Sequence, residues 1–129
     1  MRLWHYKLIP YLPKQQLVGQ WRELNSIYKK QDKHILINYI YEYTYEDLFN
    51  YSYMIILEMK HSGFKVNTEK HDNYFKDKNI KEIRKTAFRR HHDQQYLKIC
   101  CWNLYEKFIR GQSGFTDEAI DFILKIIGE

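Results

Sequence analysis

The sequence predicts a basic helical domain, on three observations. Apolar residues recur at spacings of three and four through several long segments; those segments open or close on residues that cap helices; and Lys and Arg outnumber Asp and Glu by 21 to 16, a net charge of +5. A chain of 129 residues fits one domain, large enough to bury about two thirds of its unfolded surface. Its 44% apolar and 17% aromatic content separates it from disordered chains, which lack the bulky side chains that offset ordering entropy.

Residues 1–13 read as an N-terminal arm, because Pro10 and Pro13 fix their own backbones and push Ile9 and Leu12 toward extended conformations. A helix follows over 14–28, where Leu17, Val18, Trp21, Leu24, Ile27 and Tyr28 make one apolar stripe and Gln16, Gly19, Gln20 and Glu23 the other face. Gly19, one turn before Glu23, either admits a ligand or backbone or serves close helix packing, at a cost of about 1 kcal/mol relative to Ala. Residues 29–43 read as a polar loop and a short apolar connection with no clean period. Thr44 and Asp47 are placed to cap a helix over 45–62, with Leu48, Ser52, Ile55 and Met59 in one row, Gly63 as the left-handed stop and Phe64 packing back over the last turn. An irregular polar loop is expected over 65–79, a short helix over 80–88, and a longer one over 93–110 with Tyr96, Leu97, Cys100, Leu104 and Phe108 inward. Thr116 caps a last helix over 117–127, with Asp117 and Glu118 near its positive end.

Several function classes are excluded. No apolar run approaches the roughly 20 residues that span a bilayer, and His5, Lys7 and Pro10 interrupt the early segment that a signal peptide would need. Cys100 and Cys101 are neighbours on a helix, diverging by about 100°, which disfavours a disulfide and suits a reducing, cytoplasmic setting. Phosphate-binding glycine loops, serine nucleophile elbows and zinc deaminase patterns are absent. His91 and His92 lack a Cys or carboxylate completing a metal-ligand spacing, so neither a metal nor a cofactor is expected.

What remains is cationic. From Lys76 to Arg90 seven cations face two acids, and Lys81, Arg84, Lys85 and Arg89 fall at helical i, i+3, i+4 and i+8 positions. Such a stripe either tracks a phosphate backbone or is simply a solvated helix face. The first 24 residues carry Arg2, Lys7, Lys14 and Arg22, with no carboxylate before Glu23. An α-amine has a pKa near 8, so roughly a tenth is neutral at pH 7 and able to act as a nucleophile, more so if Arg2 repels its proton. An isolated Glu can stabilise positive charge at a sugar carbon or shuttle a proton, whereas an ordinary Arg22/Glu23 surface pair is the plain alternative.

The segment Gln15 to Leu24, QQLVGQWREL, resembles the phage pyrimidine-dimer DNA glycosylase/AP lyase family of the ultraviolet-repair endonuclease V type and its bacterial relatives. Weaker similarity runs through Lys33 and His34, Asp47 to Val66, and His92 to Phe108, about two thirds of the chain in all. The resemblance implies an all-α fold, a single compact helical domain with an extended N-terminal arm packed between helices. It implies DNA repair on double-stranded DNA by a monomer: the Met1 amine attacks the sugar carbon bearing the damaged base, a Schiff base replaces the glycosidic bond, and β-elimination nicks the strand. Glu23 would be the catalytic carboxylate, Arg2 and Arg22 phosphate or base contacts, and Lys107 a DNA-contacting lysine. The sequence departs from the pattern where Met1 replaces a small processed terminus, Gln16 a DNA-contacting histidine, and Ser26 and Asn103 two arginines. The family's aromatic, basic tail is replaced by the 117–127 helix. A non-catalytic basic DNA-binding protein of the same fold, and an enzyme for another nucleobase substrate, are the alternatives.

Overall fold

The computed structural model describes residues 2–30 and 33–129, and every regular element among them is helical. His5 caps a 3-10 helix, Tyr6–Tyr11, by accepting the Lys7 N–H at its Nδ1. The arm thus coils at Pro10 where extended chain was expected. Burial of Leu8 and Ile9 against the second long helix overrides the local preference of a residue before proline.

Pro13 ends the arm, and its carbonyl accepts the Leu17 N–H at 3.0 Å to start α1, Lys14–Lys30. After a turn at 35–37 and a 3-10 helix, Asn38–Glu42, comes α2, Tyr45–His61. Its far end closes as a Schellman motif: Gly63 takes φ +90°, its N–H bonds the Lys60 carbonyl, and the Phe64 N–H bonds the Met59 carbonyl. Asp93 caps α4, Gln94–Ile109, by accepting the Tyr96 N–H at 2.9 Å, and Thr116 caps α5, Asp117–Ile127, by accepting the Ala119 N–H at 3.0 Å; a short α3, Glu69–Phe75, lies between α2 and α4.

The first helix packs on α2 and α3, α4 packs on α5, and the arm lies on α2. Leu17, Leu24 and Ile27 of α1, Tyr51 and Ile55 of α2, Leu97, Cys100 and Leu104 of α4, and Ile123 of α5 meet Leu3 and Leu8 of the arm in one buried core. Both cysteines are free and buried, and burial pushes the Cys101 thiol up to about 12.

Three local expectations fail for tertiary reasons. The 65–79 loop contains α3, seven residues too short to persist on propensity but held by Phe75, whose ring packs edge-on to Tyr28 and Phe49. The 80–88 segment is not helical. Its backbone is instead satisfied by α2: the buried Asn50 accepts the Arg84 N–H at 2.6 Å and donates to the Glu82 carbonyl at 3.2 Å, and Asp47 accepts the Phe88 N–H at 2.8 Å. Phe88, fully buried, sits at φ +52°, which ends any helix there. No side-chain cap forms at Thr44, and the Asp47 N–H bonds the Thr44 carbonyl at 3.2 Å.

Candidate active site

An arm crossing a helical core carries backbone donors and acceptors that neither helix nor sheet satisfies. In α1 the buried Gln20 satisfies two of them, its Oε1 accepting the Trp4 N–H at 2.8 Å and its Nε2 donating to the Arg2 carbonyl at 3.0 Å. The Tyr51 hydroxyl of α2 lies 2.6 Å from both the Trp4 carbonyl and Gln20 Oε1, and the Tyr96 hydroxyl of α4 donates to the Leu3 carbonyl at 2.6 Å. His92 Nδ1 accepts the Tyr6 N–H at 3.2 Å, so that nitrogen carries no proton and Nε2 faces the Tyr39 hydroxyl at 2.6 Å. Three helices and the turn that carries His92 therefore grip four residues of the arm, Arg2, Leu3, Trp4 and Tyr6. Burial pushes the Tyr51 and Tyr96 hydroxyls up, keeping them neutral donors, and pushes His5 down to about 4 and His92 down to about 3.

The sequence places Tyr96 inward and offers His92 only as a metal ligand, and it gives no sign that either, or Gln20 or Tyr51, holds the arm. Gln20 lies on the face opposite the apolar stripe and is buried there because the arm covers it. A glutamine one helical turn before a candidate acid, both following a proline-rich arm, was the available signal.

The grip holds Arg2 at the wall of a cleft of about 490 Å³ between the arm, α1 and α4. Glu23, Arg22, Gln15 and Gly19 line it from α1, Asn103 and Lys107 from α4, and Leu36 from the turn after α1. Arg2 also stands 5.8 Å over the Trp4 ring. A methyl group added at Gly19 would meet no atom within 4 Å, so helix packing does not account for this glycine, and its bare backbone opens onto the cleft. Gln16 is tied to Gln112 by a reciprocal amide pair at 2.6 and 3.1 Å, which links α1 to the turn that closes α4. Asn103 folds back on its own helix, donating to the Ile99 carbonyl at 2.8 Å.

Of the expected site residues, Arg2, Arg22, Glu23 and Lys107 share this cleft, and Met1 lies outside the described residues. Lys81, Arg84, Lys85 and Arg89 do not line it. Their stripe is lost with the helix: Arg84 turns to Asp47 at 3.6 Å, Lys85 borders an apolar cavity of about 740 Å³ against Tyr6, Met54 and Leu57, and Lys81 and Arg89 are exposed. Among the described residues no group of three or more His, Cys, Asp or Glu is placed to hold a metal, and no helix is long and apolar enough to cross a membrane.

Three cations, drawn from the arm and two different helices, line one cleft with a single carboxylate, Glu23, in a helical domain of positive net charge. The family model of pyrimidine dimer DNA glycosylases matches residues 1–72, more than half of the chain, and the chain belongs to that family. The match takes in the arm, α1, α2 and the start of α3, and hence Glu23 and every arm residue that Gln20 holds. No curated protein and no solved structure matches the chain.

Proposed function

We propose that the protein is a DNA glycosylase with AP lyase activity, acting on pyrimidine-dimer-like or abasic sites in double-stranded DNA through the Met1 α-amine and Glu23. The observation that carries this is the shared cleft of Arg2 and Glu23, inside a family of DNA glycosylases. Gln20 holds the Arg2 carbonyl and Arg2 lines the cleft, and the proposal takes the amine of the preceding residue as nucleophile.

The neutral amine attacks the deoxyribose C1′. The bond from C1′ to the base nitrogen breaks, and the base leaves with its electron pair and a proton. Loss of a proton from the amine nitrogen and opening of the sugar ring give a protonated Schiff base. Removal of a C2′ proton then expels the 3′ phosphate, which nicks the strand, and water returns the free amine. Glu23 stabilises the cationic sugar and takes the proton at these steps. Arg2, Arg22 and Lys107 hold phosphates on either side. The Gln16–Gln112 pair spends both amides on each other, so no base or phosphate contact is assigned to Gln16.

Borohydride reduction during incubation with abasic-site or dimer-containing duplex tests the reading, since it converts a Schiff base to a stable secondary amine. A protein–DNA adduct that disappears when Glu23→Gln is used supports it. Salt-sensitive binding with no adduct and no nicking on either substrate sinks it and leaves the binding-only protein.

A further inference from the structure

Extruding a nucleotide leaves a gap in the base stack, and proteins that kink duplexes fill such gaps with Ile, Leu, Phe, Met or Pro side chains pushed between base steps. The turn that borders the Glu23 cleft carries two side chains of this kind. Leu36 lines the cleft and is 41% exposed, and its neighbour Ile35 is 86% exposed. A lone exposed aliphatic residue means little. Two in succession, one of them lining a cleft whose other large side chains are polar or charged save Trp4, have no core to join.

The turn that presents them is tightly made. Asn38 Oδ1 accepts the His34 N–H at 2.8 Å, His34 Nδ1 accepts the Leu36 N–H at 3.2 Å, and the His34 carbonyl accepts the N–H groups of Ile37 and Asn38, both at 2.8 Å. Ile37 and Ile40, buried, anchor its far side in the core. The tip therefore projects from a fixed base. Three cations precede it in the chain: Lys29 and Lys30 close α1, and Lys33, exposed, leads into the turn. An apolar tip preceded by ammonium groups, with one of its residues lining a basic cleft, suits a surface whose rim is phosphate and whose interior is stacked bases.

We infer that the Ile35–Leu36 turn is the wedge that enters the base stack of damaged duplex beside the nucleotide held at Glu23. The inference rests on the repair reading of that cleft. The wedge compensates for unstacking, so it matters on duplex DNA and not on single strands, whose bases are already free.

The full-length protein and Ile35→Ala are compared on an abasic site in duplex and in the same strand alone, scoring nicks. A second arm uses a duplex with a tetrahydrofuran abasic analogue, which cannot form a Schiff base, and 2-aminopurine as the neighbouring base. Because Ile35 is solvent-exposed, the substitution leaves the core intact. The ratio of duplex to single-strand activity is expected to fall about tenfold in Ile35→Ala and to recover in Ile35→Met, with 2-aminopurine fluorescence rising on binding of the wild type and much less with Ile35→Ala. An unchanged ratio, equal loss on both substrates, or a fluorescence rise indifferent to Ile35 overturns the wedge. So does a shift from dimer to monomer in Ile35→Ala without a fluorescence change, which assigns the turn to self-association. Fluorescence that depends on Ile35 with no nicking anywhere keeps the wedge and removes the lyase; nicking without that dependence does the reverse.

Discussion

The cleft around Glu23 and the segment from Lys76 to Arg90 are both cationic, yet they are built in opposite ways. In the cleft, Arg2, Arg22 and Lys107 come from the arm, α1 and α4 and converge on one acid. In the segment, cations adjacent in sequence are dispersed by a backbone that α2 holds open through Asp47 and Asn50. Sequence density of charge thus says little about where the fold gathers it. What gathers charge is the arm, and the arm is gathered by a few buried polar side chains.

The largest effect expected from breaking this contrast is at Glu23. Glu23→Gln should lower base excision and strand nicking by about a hundred- to ten-thousand-fold in single-turnover assays, with duplex affinity within a few-fold of wild type. Equal activity would reduce the acid to an ordinary surface partner of Arg22. Next comes the grip on the arm. Gln20→Ala strands the Trp4 N–H and the Arg2 carbonyl, at a cost of about 2 to 4 kcal/mol read from the denaturant midpoint, and nicking should fall further than stability alone explains. A variant as active and as stable as wild type would show that the arm is held elsewhere.

Acid should loosen the same region. His5, held down to about 4, and His92, held down to about 3, are neutral when folded, whereas unfolded imidazoles titrate near 6.5. Between those values the unfolded chain binds more protons, so the stability present above about pH 6.5 is lost as pH falls toward 4. Protonation of His92 also removes the acceptor for the Tyr6 N–H. Thermal melts from pH 7 to 4.5 should show the midpoint falling throughout, and a flat midpoint would mean that both rings stay solvated. The smallest effect separates the two basic regions directly. Lys107→Gln should flatten the slope of log affinity against log salt by about 0.9, while Lys81→Gln leaves it in place. The reverse result would move the DNA path onto the 76–90 segment.

How far the fold could be read in advance follows from where its determinants sit. The ends of α2, α4 and α5 are written in nearby residues, Gly63, Asp93 and Thr116, whose hydrogen bonds stay within one turn. The third helix and the open 80–88 segment depend on partners more than 20 residues away, Phe49 and Tyr28 for one, Asp47 and Asn50 for the other, and no local period encodes them. In the site, Arg2, Arg22, Glu23 and Lys107 could be named from the motif and its distance along the chain. The arm-holding roles of Gln20, Tyr51, His92 and Tyr96 could not, even with Tyr96 placed inward, because a polar side chain's long-range partner is not written in its neighbours.

Peptide mapping of the borohydride-reduced adduct tests the central claim most directly, because it locates the atom joined to deoxyribose. The account predicts a crosslink on the N-terminal peptide, at the α-nitrogen of Met1, and none when that amine is blocked beforehand. A crosslink on a lysine side chain, or one that survives blocking of the terminus, would contradict it.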